Sequence, residues 1–261
     1  MHESEVNSPG AEQPLVLIPV TAEDVARRTW RIRFTATVII LAALAITGYL
    51  YKRSMDPLNA KESFDAGVRL FNIARYNQAI LSFDRAIALQ PQMVEAYLMR
   101  GRSYVGDAKP DLALPDFAKV IELRPSDPVG WVQRGKAYLE LNNFQAAISD
   151  ASHAVSVDPK EASAYNLRGA AVRKGGSPEK ALEDFNRAVE LSPSADNYYE
   201  RGATYQLLGE HRLAIADFDK VIEIIPDLAG PFFARAESHR AIGDLAEAER
   251  DHRRGRILDG H

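Results

Sequence analysis

Pro91, Pro125, Pro159, Pro193 and Pro226 recur along this chain at intervals of 34, 34, 34 and 33 residues, and each ends a stretch of similar composition. A period of that length is the mark of a repeat array. Registered on the prolines, the blocks run 60–93, 94–127, 128–161, 162–194, 195–228 and 229–261, the last degenerate and without its proline. Inside each block the apolar residues return every three and four positions, which is helical spacing. A block therefore reads as two amphipathic helices, too short to enclose a core unless it stacks on its neighbours. The expected fold is all-α, a solenoid of six helix-turn-helix repeats.

Small residues recur where two helices must approach closely. Counting from the start of each block, the eighth position is Gly67, Gly101, Gly135, Gly169 and Gly202, then Ala236, and the twentieth is always alanine, from Ala79 to Ala248. The twenty-fourth is Phe83, Phe117, Ala151, Phe185 and Phe218, then His252; the fourth is aromatic in Tyr97, Trp131, Tyr165, Tyr198 and Phe232. With the prolines, this pattern resembles the tetratricopeptide repeat. The resemblance covers nearly everything after residue 59. The sixth block, with His239 and His252 in place of aromatics and the basic run Arg250, Arg253, Arg254 and Arg256, reads as a polar end piece.

A second ladder accompanies the first. The seventh position is Arg100, Arg134, Arg168, Arg201 and Arg235, and the twenty-third is Asp116, Asp150, Asp184, Asp217 and Asp251, while the first block has Ala66 and Ser82 instead. Arginine and aspartate are present or absent together. They are expected to form structural ion pairs between the two helices of one repeat.

Ahead of the array, residues 1–24 are rich in proline and glutamate and are expected to be a disordered tail whose apolar patch, Leu15 to Val20, is a candidate docking motif. Residues 25–53 read as a basic flank and a transmembrane helix. The uncharged run from Phe34 to Tyr51, with Trp30 before it and Tyr49 and Tyr51 at its far end, is long enough to cross a bilayer as one helix. Residues 54–59 are expected to be a short linker, and 60–261 the repeat domain. Arg27, Arg28, Arg31 and Arg33 precede the span, against Lys52 and Arg53 after it, which favours a cytoplasmic N-terminus and an extracytoplasmic, periplasmic repeat domain. The alternatives are a cytoplasmic domain, or one released by cleavage near Ala43–Ala45.

The 32 Lys and Arg against 36 Asp and Glu leave no basic footprint for nucleic acid, and the absence of cysteine removes thiol catalysis, disulfides and cysteine metal sites. The six histidines show no metal-ligand spacing, and no phosphate-binding glycine loop is present. No enzyme, cofactor or small-molecule substrate is expected. What the resemblance implies is a groove lined by first helices that binds a peptide or helix of a partner protein. Carried over position by position, its candidates are Phe64, Val68 and Phe71, then Leu98 and Arg102, Lys136, Asn166 and Arg173, Tyr199 and Phe233. Their order suggests an apolar entrance followed by cations that would hold an acidic or carboxylate group. The clamp that some members use for chaperone C-termini is missing, since its positions hold Phe64, Val68, Met99, Val129 and Gln133. The expected function is a membrane-tethered scaffold or adaptor, an ancillary or chaperone-like part of an envelope assembly or secretion complex. A regulatory subunit of a membrane-associated enzyme is the alternative.

Overall fold

The structure, a computed structural model, describes residues 21–260. These form twelve helices: α1 (Ala22–Asn72), α2 (Tyr76–Leu89), α3 (Val94–Gly106), α4 (Pro110–Leu123), α5 (Pro128–Glu140), α6 (Phe144–Val157), α7 (Ala162–Lys174), α8 (Pro178–Leu191), α9 (Ala195–Leu207), α10 (His211–Ile224), α11 (Ala229–Ala241) and α12 (Leu245–Leu258). The chain divides into two units, Met1–Met55 and Asp56–His261. The expected tail and its Leu15–Val20 motif lie outside the described residues, except that Ala22–Asp24 already belong to α1.

In the first unit, Val25–Tyr49 is a 25-residue helical stretch long and apolar enough to cross a membrane, and its apolar window is wholly exposed. At 1.5 Å per residue it is about 37 Å long. A threonine hydroxyl on an exposed helix face can find its partner within its own helix. Thr35, Thr37 and Thr47 have one, donating to the carbonyls of Arg31, Arg33 and Ala43 at 2.9, 2.9 and 2.8 Å. Trp30 stacks on Phe34 with ring centroids 5.3 Å apart.

Residues 54–59, expected as a linker, are helical and belong to α1, with Pro57 inside the helix. Pro57 is no barrier to that. It removes one main-chain hydrogen bond without preventing the helix from continuing, because its fixed φ is a helical value.

In the second unit the helices pair as the period predicts, with the first helix of the first repeat supplied by the end of α1. Two kinds of turn repeat. Between the helices of a repeat, the fifteenth position adopts positive φ: 56° at Ala74, 57° at Ala108, 57° at Asn142, then 92°, 78° and 89° at Gly176, Gly209 and Gly243. The following amide reaches back five residues, as from Arg75 to the carbonyl of Leu70 and from Glu210 to that of Tyr205, the bond that closes a Schellman cap. Between repeats stand the periodic prolines. The Tyr97 and Tyr165 hydroxyls donate to the carbonyls of Pro91 and Pro159 at 3.3 and 3.2 Å, which couples the fourth position to the turn before it.

The core is a file of rings on bare backbone. A Cβ on Gly67 would lie 2.5 Å from the Phe83 ring, and one on Gly101 2.6 Å from that of Phe117, so only glycine lets the two helices close. The third repeat solves the same contact differently. Its twenty-fourth residue is Ala151, and the space over Gly135 is filled from the next repeat by Leu167, whose Cδ2 would stand 2.6 Å from an added Cβ. Leu167, Val132, Ala151, Ala154 and Ala164 make one buried cluster.

The junction after the fourth repeat is one residue short. There Ser194 bonds to the carbonyl of Ser192, where the other junctions span three residues, as from Met93 to Gln90. Buried Asn197 compensates: its amide donates to the carbonyls of Ala188 and Ser192 at 3.2 and 2.8 Å and its oxygen accepts from Asn166 at 2.8 Å.

Candidate functional site

The structure brings the five Arg–Asp pairs together as two-pronged contacts. The Arg Nε to Asp Oδ2 distances are 2.9 Å in Arg100–Asp116, 2.8 Å in Arg134–Asp150, 2.9 Å in Arg168–Asp184, 2.9 Å in Arg201–Asp217 and 2.7 Å in Arg235–Asp251. All five carboxylates are buried. Each guanidinium also lies over the ring at the fourth position of its own repeat, at 5.1 Å for Arg134 on Trp131 and 5.8 Å for Arg201 on Tyr198. Hydrogen bonding to Asp116 and Asp251 holds Arg100 and Arg235 well above the ordinary guanidinium range. Groups so held do not exchange protons near neutrality, and this ladder is architecture.

A third arm of the ladder was not anticipated. Arg100 Nη1 donates to Asp84 at 2.6 Å, Arg201 Nη1 to Asn186 at 3.1 Å, and Arg235 Nη1 to Asp219, each acceptor standing at the twenty-fifth position of the preceding repeat. Ala118 and Ser152 occupy that position before Arg134 and Arg168. The signal was present in the sequence, but as three acceptors out of five it breaks the period that makes the other columns visible.

The first helices make the inner row. Among the described residues α3 touches α5, α5 touches α7, α7 touches α9 and α9 touches α11, whereas α4, α6, α8, α10 and α12 do not contact one another. Two cavities open on this row. One, of about 330 Å³, is lined by Ala195, Tyr199, Val221, Leu228 and Pro231 together with Asn166, Asp196 and Glu200. The other, of about 240 Å³, is polar, with Lys136, Glu161, Ser163 and Asn197 among its walls, and it shares Asn166 and Asp196 with the first. They adjoin.

Of the ten groove candidates, Lys136, Asn166 and Tyr199 line these cavities. The others are used otherwise. Phe64 tilts against Phe83 at 5.7 Å and Phe71 meets Tyr76 edge-on at 5.6 Å. Leu98 packs on the cluster of Ala113, Phe117 and Ala137, and Val68 is half-buried. Phe233 is turned onto His252 at 5.4 Å and fills the space over Gly255. His239 has a different neighbour from His252, its Nδ1 lying 3.5 Å from Asp244.

The expected row of free cations is corrected. Arg173 donates to the carbonyl of Glu200 and to Thr204 Oγ1, both at 3.0 Å, pairs with the Glu200 carboxylate, and sits 5.3 Å over Phe185. Its charge is spent on the next repeat. Arg102 is half-buried and directed at Gln133 at 3.4 Å, leaving Lys136 exposed and in no ion pair among the described residues. The acids Asp196 and Glu200, which the sequence reading passed over, stand in the larger cavity. Asp196 is exposed and has no ion pair among the described residues, while Glu161 is occupied in accepting from the Ser163 amide and hydroxyl at 3.1 and 2.5 Å.

Comparison with known proteins agrees with this architecture. Tetratricopeptide repeat family models match residues 64–128, 132–196 and 195–228. No curated protein sequence matches the chain. Among solved structures it is similar to a thermophilic TPR protein of Thermus thermophilus, with a TM-score of 0.61 at 22% identity over 70% of this chain and 98% of that one. It is similar to a tetratricopeptide repeat protein of Parabacteroides merdae, with a TM-score of 0.65 at 18% identity over 90% and 92%. The Cut9–Hcn1 hetero-tetramer of the APC/C gives a TM-score of 0.70 at 16% identity over 82% of this chain and 43% of that one. At such identities these likenesses speak to the fold. Period, paired helices, glycine–phenylalanine contacts and matching models together make this chain a member of the tetratricopeptide repeat family.

Proposed function

We propose that the chain is a membrane-tethered scaffold that holds an extended segment of a partner protein along the inner row of its third to sixth repeats. The observation that carries this reading is the pair of adjoining cavities on α5, α7, α9 and α11, with Lys136 and Asp196 left unpaired beside exposed Tyr199. An open apolar cavity rimmed by exposed charged side chains is the layout of a peptide-binding surface. The exposed apolar stretch Val25–Tyr49 supports a bilayer anchor, and the arginines before it support a cytoplasmic N-terminus with the repeats across the membrane. Tethering confines scaffold and partner to one surface and raises their effective concentration, so that modest groove contacts suffice. That suits an ancillary or chaperone-like component of an envelope assembly or secretion complex.

Photo-crosslinking amino acids placed at Asn166 and Lys136, with Lys220 on a second helix as the control, test this in intact membranes. Discrete protein adducts are expected from the first two sites and not from the third. Equal labelling from all three removes the groove from the account. A reporter fused after His261 that is active only inside the cytoplasm overturns the topology.

A further inference from the structure

We infer that the partner segment carries an apolar side chain for the cavity of α9 and α11 and, next to it, a lysine or arginine held by Asp196. This deepens the groove reading and rests on it. The larger cavity is walled by Ala195, Tyr199, Val221, Leu228 and Pro231, and at about 330 Å³ it stands at the lower bound of ligand pockets, a size for one or two side chains and not for a cofactor. Tyr199 and Leu228 remain 37% and 45% exposed although the Tyr199 ring rests on Phe218 at 5.7 Å. A ring stiffened from behind with its other face open is an anchor surface.

The charges decide the polarity of the guest. Glu200 is neutralised by Arg173, and Glu161 accepts from Ser163, so the free carboxylate where the two cavities meet is Asp196. Among the described residues no cation lines the larger cavity, and Lys136 stands at the smaller one, on α5. A guest acid at the apolar cavity would meet Asp196 with nothing to offset it. A guest base there meets its complement, while an acid further along the same peptide could reach Lys136. This is the reverse of the polarity expected from the sequence, where Arg102, Lys136 and Arg173 suggested a receptor for carboxylates.

The test uses the full chain in detergent micelles and three pools of fluorescent decapeptides on a Ser/Gly background: one Leu or Phe beside one Lys or Arg, the same with Glu replacing the base, and the basic pool with the Leu or Phe removed. Wild type is expected to bind the first pool tightest. One half-exposed ion pair accounts for about a fivefold preference over an uncharged site. Asp196→Lys is expected to invert the order of the first two pools, and Tyr199→Ala to weaken the first while leaving their order unchanged. Asp196 is exposed, so its replacement spares the core, and unchanged far-ultraviolet circular dichroism confirms the fold. Equal or tighter binding of the acidic pool, no binding of any pool, or indifference to Asp196→Lys overturns the proposal. If crosslinks from Asn166 persist in membranes after any of those results, the groove stands and only the stated guest chemistry falls.

Discussion

Exchanging the ring and the leucine across the third and fourth repeats measures how a repeat array tolerates the loss of a signature residue. Leu167 is 2% exposed and occupies the place over Gly135 that a phenylalanine takes over Gly67, Gly101 and Gly169. Leu167→Ala should cost about 3 kcal/mol, the transfer loss plus a cavity that close-packed neighbours cannot collapse. Ala151→Phe should cost about 2 kcal/mol by forcing a ring into volume already held by Leu167. The double variant recreates a pair present in this same chain, Phe218 followed by Ala234 at the corresponding positions. Independent effects would sum to about 5 kcal/mol, whereas an exchange of one plug for another should leave a net cost of about 1 kcal/mol. Arrays need not unfold in a single step, so the readout is local: hydrogen exchange of the α6 and α7 amides, supported by urea unfolding of the full chain in detergent. Additive losses in the double variant would mean that Leu167 and the missing ring do not share one space, and would refute the reasoning.

The turn and ladder columns predict gains as well as losses. Ala74 and Ala108 hold φ of 56° and 57° where three other repeats place glycine, so Ala108→Gly should stabilise by about 0.5 kcal/mol, with Gly209→Ala losing about 1 kcal/mol, both read in urea. Ala118→Asp supplies the absent third acceptor for Arg134 and should add up to about 1 kcal/mol at low salt, a gain that vanishes in Arg134→Lys because a lysine's donors share one nitrogen and cannot span Asp150 and position 118 as the planar guanidinium does. Asp150→Ala strips Arg134 of its carboxylate and should cost about 3 kcal/mol, more than Ala removal of both partners together. Asn197→Ala leaves the carbonyls of Ala188 and Ser192 without its amide and should cost about 2 kcal/mol, with exchange rising first at the start of α9.

What could be read from the residues alone was whatever the period repeats. The glycine, phenylalanine, proline, arginine and aspartate columns each report a contact made at the same place in most units, so a single sequence supplies several observations of one geometry. Departures from the columns were harder. Leu167 fills a gap left sixteen residues earlier, Asn197 mends a turn one residue short, and Glu200 captures Arg173 from the next repeat; each is a single event with no second copy to reveal it. Residues 54–59 mislead in the opposite direction: expected as a linker, they are helical, and Pro57, in register with the prolines of the later junctions, lies within the helix. The arginines of the groove were read as free for the same reason: a charge looks available until its partner, distant in sequence, is placed beside it.

That asymmetry bears on where recognition resides. Periodic residues are consumed by the stack, since each has a duty to the neighbouring helix that leaves little surface for a guest. The eighth and twentieth positions are buried, as is the twenty-fourth apart from exposed His252, and from the second repeat onward the seventh and twenty-third are locked in ion pairs. Specificity therefore has to come from positions that the stack leaves unconstrained, and those are the ones whose identity changes from repeat to repeat. At the second position the chain passes through Ser163, Asp196 and Gly230, and at the fifth through Asn166, Tyr199 and Phe233. Phe233 and Asn197 show that some of this variation repairs packing. Asp196 and Tyr199 keep surface that the stack does not use: a carboxylate in the first turn of α9 with no ion pair among the described residues, and a ring that rests on Phe218 with its other face half-open, one helical turn apart beside a cavity that α10 and α11 complete. If the fold is written in what recurs, a partner is to be sought at the residues that vary from repeat to repeat, and the guest chemistry proposed for this array rests on those two.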